Sequence, residues 1–184
     1  MALSWKRIAR RIRVPLGFVF AALFLWLARP TVPFVVLSLA LVAPGLLLRG
    51  YASGYVKKNA ELTVTGPYAY TRNPLYLGSM IIAFGFALAA RSLWIAGALV
   101  VLFAAIYIPV IRGEEEHLRA EFPEFEAYAA SVPRLLPRVV RRGPGTTNGG
   151  FSGALYRKHR EYNALLGAAG VYAALILKLV LRKA

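Results

Sequence analysis

The chain has no cysteine and no aspartate, and only two histidines among its 184 residues. Without cysteine there are no disulfides and no thiol chemistry, although this does not identify a compartment. His117 and His159 do not make a ligand cluster, and no metal site is expected. Acid is scarce as well: all eight acidic residues are glutamate, against 23 lysines and arginines, for a net charge of +15. The chain shows no internal repeat, no separate soluble domain and no recognised DNA- or RNA-binding module. Its basic excess is scattered along membrane-flanking segments, so no nucleic-acid partner is expected.

What the chain has in plenty is apolar sequence: 58% of residues are hydrophobic and the mean hydropathy is +0.55. These residues come in blocks rather than alternating. A helix needs roughly 20 largely apolar residues to cross the hydrocarbon core, and a spanning segment must satisfy its backbone internally. Five blocks read as spans: 14–28, 32–48, 75–90, 93–111 and 164–181. The expected fold is therefore all-α and polytopic, with a small cytoplasmic cap. Pro44 and Gly45 predict a kink in the second span. The first block follows a basic start as a secretory signal would, but no small-residue cleavage site follows Leu27, which favours a retained helix.

With five spans, residues 1–13, 49–74 and 112–163 fall on one side and hold 18 of the 23 basic residues. The positive-inside rule places that side in the cytoplasm. Residues 5–12 are basic and amphipathic, as an interfacial helix would be. Anionic lipid headgroups are the natural partners of this charge, and no obligate protein partner is evident.

The densest information is the polar, aromatic stretch over residues 65–78, TGPYAYTRNPLYLG. Spans three and four are separated only by Arg91 and Ser92, so they are antiparallel. Arg72, Asn73 and Pro74 then return to the same face as Glu114, Glu115 and Glu116. Acids at a span end are costly unless they meet water or a cation. Arg72 can grip a carboxylate bidentately, Asn73 can both donate and accept, and Pro74 suits the first turn of a helix. Taken singly each has a plainer reading: Glu116 as a solvated end-marker, Arg72 as a side chain snorkelling to headgroups. Tyr68, Tyr70 and Tyr76 read equally as interface aromatics, and Gly66 and Gly78 as turn and packing residues. Further on, Leu118, Phe122, Phe125 and Tyr128 recur at helical spacing. Pro123 interrupts that pattern and Pro133 ends it. The run 143–150 has the composition of a flexible linker.

The string GPYAYTRNPLYLGS resembles the signature of the integral-membrane methyltransferases that include isoprenylcysteine carboxyl methyltransferase and phosphatidylethanolamine N-methyltransferase. The tail beginning at Glu114-Glu115 and continuing through Leu118, Phe122, Phe125, Tyr128, Val132-Pro133-Arg134 and Pro137 is similar to that family's second motif. The resemblance spans residues 62–138, between a two-helix hairpin (1–61) and a linker with a last helix (139–184). It implies an S-adenosylmethionine site without a Rossmann domain, giving S-adenosylhomocysteine as product, and a lipophilic acceptor entering from the bilayer. By this resemblance Tyr68, Tyr70, Asn73, Pro74, Tyr76, Glu114 and Glu115 surround the cofactor. Arg72, Asn73, Arg134 and Glu115 serve catalysis by orienting the reactants or, for an amine acceptor, by taking a proton.

Asn73 stands where the carboxyl methyltransferase pattern has histidine and matches the phospholipid N-methyltransferase variant. The Val-Pro-Arg tail is closer to the carboxyl methyltransferases. The expected reaction is carboxyl O-methylation of an isoprenylcysteine-like substrate, with phospholipid N-methylation as the alternative. A haem-dependent isomerase and a non-enzymatic scaffold on the same fold are the readings from other classes.

Overall fold

A computed structural model describes residues 19, 21–57, 61–139 and 150–182. The basic N-terminal segment, the start of the first expected span and the glycine-rich run up to residue 149 lie outside the described residues. All regular elements among the described residues are helices, without strands. Helix α1 covers residues 21–27, followed by α2 (Val32–Ser53), a 3-10 turn (Gly66–Ala69) and α3 (Pro74–Ala90). Then come α4 (Leu93–Leu102), a π-helical turn (Phe103–Tyr107), α5 (Ile108–Glu121), α6 (Phe125–Ser131), α7 (Gly153–Lys158) and α8 (Tyr162–Leu181).

Among the described residues, three helices are long and apolar enough to cross a membrane: Val32–Ser53, Leu93–Glu121 and Tyr162–Leu181. Pro74–Ala90 is apolar but shorter, at 17 residues. The protein is an integral membrane protein; among the described residues, these three of the expected spans meet the length a crossing needs.

Helix α2 is one continuous helix through Pro44 and runs to Ser53, beyond the expected end at residue 48. Helix α4, the π turn and α5 likewise form one helix of 29 residues. The π turn precedes Pro109, which has no N–H to give to the preceding turn, and the Ile108 amide bonds to the Phe103 carbonyl, five residues back. Because this helix runs on to Glu121, Glu114–Glu116 lie inside it, not after it.

Arg91 takes the left-handed conformation at the turn between α3 and α4 (φ 51°), its guanidinium 4.7 Å from the Phe34 ring centroid. Ser92 then caps α4, accepting from the Ile95 amide. The expected antiparallel hairpin follows. At its closed end Phe24, Ala28, Ala87, Ala89, Ala90, Ile95 and Leu175 form an apolar core. There the ammonium of Lys178 on α8 binds the Leu25 and Trp26 carbonyls that end α1.

Helices α2 and α3 approach through glycine. A Cβ at Gly45 would lie 2.9 Å from the Gly78 carbonyl oxygen, and one at Gly85 would lie 2.6 Å from Val42 Cγ2. With no hydrophobic drive between helices in lipid, such close contact supplies the packing. Helix α8 lies antiparallel along α2, joined near mid-height by a 2.8 Å hydrogen bond between Ser38 and Tyr172. At the other end a second core, Phe125, Tyr128 and Val132 with Leu62, Val64, Leu118 and Phe122 against it, forms a cap. It gathers the residues that the helical spacing singles out, and the break at residues 122–124 folds α6 back on α5.

Candidate functional site

The site lies where the 65–73 segment, the end of the long α4–α5 helix and the 128–138 tail meet. Backbone pairing aligns the first and last of these: the Arg72 amide donates to the Pro133 carbonyl at 2.9 Å and the Arg138 amide to the Tyr70 carbonyl at 3.0 Å. The Thr71 hydroxyl donates to the Leu135 carbonyl at 2.9 Å, and Asn73 Nδ2 to the Arg134 carbonyl at 2.9 Å. The Tyr128 hydroxyl closes the other side, donating to the Tyr68 carbonyl at 2.7 Å. Asn73 and Pro74 are buried, and Asn73 thus fixes the backbone of Arg134.

Glu115 is the centre. Its side chain is 5% exposed and lies between two guanidinium groups. Arg134 donates Nε and Nη2 to Oε2 at 3.0 and 2.7 Å, and Arg72 Nη2 stands 3.1 Å from Oε1. Arg72 also donates Nη1 to the Ala129 carbonyl at 2.8 Å. The Arg72 contact is an ion pair without hydrogen-bond alignment, so Arg72 Nε and Glu115 Oε1 are buried with no hydrogen-bond partner. One carboxylate against two guanidiniums leaves this group one positive charge in excess. Hydrogen bonding to Glu115 pushes the Arg134 pKa above its already high usual value, so Arg134 stays charged.

Glu114, next along the helix, points elsewhere. It is exposed and accepts a 2.8 Å hydrogen bond from the Tyr76 hydroxyl. The Tyr76 ring meets Tyr107 edge-to-face at 5.7 Å. Tyr68 is buried while Tyr70 is exposed. Burial is the main cause that raises the Tyr68 phenol pKa, helped by Tyr128, Glu114 and Glu161 and opposed by Arg49. Burial raises the Tyr128 phenol too, and both tyrosines stay neutral at physiological pH. Of the residues singled out in the sequence, Arg72, Asn73, Glu115 and Arg134 meet directly. Tyr76 and Glu114 form a separate exposed pair, and Tyr68, Tyr70 and Pro74 flank the backbone pairing. The histidines sit apart: exposed His117 faces Glu121 at 3.9 Å, and His159 Nε2 lies 3.0 Å from the Val56 carbonyl.

Residues 48–124 match the phospholipid methyltransferase family. The chain is 33% identical over 144 residues to the cobalt-zinc-cadmium resistance protein CzcN of Cupriavidus metallidurans, covering 73% of this chain and 66% of that protein. It is 39% identical over 89 residues to the nickel-cobalt-cadmium resistance protein NccN of Alcaligenes xylosoxydans xylosoxydans, covering 48% of this chain and 41% of that one. This chain therefore spans less than two thirds of either relative. No solved structure matches it.

Two residues escaped the sequence reading. Arg49, at the end of α2, and Glu161, just before α8, form a bidentate pair at 2.9–3.1 Å close to the same region. In sequence each looks like a charge at a span end. Their 112-residue separation gives no local signal that they meet.

Proposed function

We propose that the protein is an integral-membrane S-adenosylmethionine-dependent methyltransferase whose acceptor is lipophilic and whose site faces the cytoplasm. The family match supports the reaction class. The observation that carries the site is the Glu115–Arg72–Arg134 group, which joins both halves of the signature and leaves positive charge beside the exposed Glu114–Tyr76 pair. That donor set fits the cofactor's polar end. Arg134 and the unsatisfied Arg72 Nε suit its carboxylate, and Glu114 suits its ammonium. Tyr68, Tyr70 and Tyr76 supply ring faces for an adenine or a sulfonium.

When bound, S-adenosylmethionine supplies an electrophilic methyl group. The protein's task is then alignment, since holding donor and acceptor in a near-attack geometry supplies about 7–11 kcal/mol of a barrier. Glu115 positions both guanidiniums. Asn73 holds the Arg134 backbone, and Pro74 fixes the first turn of α3, which carries Tyr76. A carboxylate acceptor is already nucleophilic and needs only a cation to orient it, for which the half-exposed Arg134 is placed. This is the isoprenylcysteine-like reading. The second reading, an amine headgroup, is favoured by the phospholipid methyltransferase match; there a glutamate of the 114–116 cluster takes the amine proton. The relatives' names connect those proteins with metal resistance, and we place the link, for this chain, in modification of a membrane lipid.

The test is methylation of a lipid extract with labelled S-adenosylmethionine by the purified protein, followed by mass spectrometry. Labelled lipid is expected. Label released by mild base marks a methyl ester, and label that survives it marks an N-methyl amine. Absence of label from every lipid fraction would count against the proposal.

A further inference from the structure

Arg49 falls just inside the family-matched segment, and Glu161 lies beyond it. Their side chains are 23% and 12% exposed. The free edge of the Arg49 guanidinium reaches across to α3. Its Nη1 donates to the Leu75 carbonyl at 3.2 Å and also to the Ser79 hydroxyl, which itself donates to the Leu75 carbonyl at 2.9 Å. Arg49 reaches this seat through a slot that only glycine leaves open, because a Cβ at Gly78 would lie 2.6 Å from Arg49 Cγ. Gly78 and Ser79, the last letters of the sequence signature, thus form the seat of an arginine held from the far side by the C-terminal segment. The turn so gripped follows Asn73 and Pro74 and carries Tyr76.

We propose that Glu161 is a positioning residue: through Arg49 it fixes the first turn of α3, which makes the C-terminal segment outside the matched region part of the working site. The effect on cofactor affinity rests on the methyltransferase reading above; the effect on the turn does not. Glu114, Glu161 and Arg49 all act on the Tyr68 phenol, the first two raising its pKa and Arg49 lowering it. Breaking this half-buried fork leaves a charge without its partner.

The full-length protein separates this role from simple anchoring of α8. In Glu161→Gln, amide hydrogen exchange over residues 75–79 should speed up roughly tenfold and affinity for S-adenosylhomocysteine should fall by a similar factor, the scale of coupling through one contact network. The double variant Arg49→Glu/Glu161→Arg restores the pair and with it the melting temperature. It leaves no donor at position 49 for the Leu75 carbonyl, so exchange should stay fast. Ser79→Ala keeps the pair but removes part of the seat, and should speed exchange without lowering the melting temperature. Wild-type exchange in Glu161→Gln or Ser79→Ala would overturn the proposal. So would recovery of both melting temperature and slow exchange in the double variant. If wild-type protein fails to bind S-adenosylhomocysteine while the exchange pattern holds, the methyltransferase reading falls and the positioning role stands.

Discussion

Glu115 and Glu114 are neighbours in sequence with opposite surroundings. Successive helix positions point about 100° apart, so one glutamate enters the cap and the other faces water. Glu115→Ala would leave Arg72 buried without its counter-charge, and removing one partner of a buried pair costs about 3–5 kcal/mol. A large fall in melting temperature is expected for Glu115→Ala and almost none for exposed Glu114→Ala. Equal behaviour of the two variants in thermal unfolding would mean that Glu115 is not the centre of this site. The three consecutive acids are conspicuous in a chain so poor in acid, and the two-residue turn between the third and fourth expected spans returns them to the face of Arg72. Which of them turns inward was not legible, because it depends on where the π turn before Pro109 sets the phase of the helix.

At the level of elements, the contact between α2 and α3 sets the height of the signature against the cap. A Cβ at Gly78 would meet the Gly45 carbonyl oxygen at 2.9 Å, and backbone cannot yield as a flexible side chain can. Gly78→Ala should therefore destabilise by about 1–3 kcal/mol, as overpacking does. Gly97→Ala on α4 is the control: nothing lies within 4 Å of its Cβ position. Alanine there should be neutral or stabilising by up to about 1 kcal/mol. Unfolding curves that rank the two the other way would contradict the close packing of α2 and α3. Sequence reading located the helices well because long apolar blocks leave few alternatives. It placed helix ends less well: α2 continues through Arg49 to Ser53, since an arginine at a span end can leave the lipid while its backbone stays helical.

For the whole molecule, charge predicts orientation. With 18 of 23 basic residues on one side, the motif end of the bundle is expected in the cytoplasm. The described helices bear on this: α8 runs antiparallel to α2, from Glu161 beside Arg49 at the motif end to Lys178 beside Trp26 at the other. Reporter fusions at residues 149 and 184 should thus give opposite signals, cytoplasmic and external. Matching signals would mean that α8 does not cross. The expected sides follow from the five-span count, and the expected orientation from lysine and arginine. The pairing of α8 with α2 was not, because Ser38–Tyr172 and Arg49–Glu161 join residues more than a hundred positions apart.

The central claim is that the positive group around Glu115 and the exposed Glu114 form the polar end of a cofactor site. Calorimetry of S-adenosylhomocysteine with the detergent-purified protein tests it most directly. Saturable binding is expected, weakened by about 2 kcal/mol in Glu114→Ala, as for loss of a hydrogen bond to a charged group. Wild-type protein that binds no S-adenosylhomocysteine, or Glu114→Ala that binds it as tightly as wild type, would contradict the account.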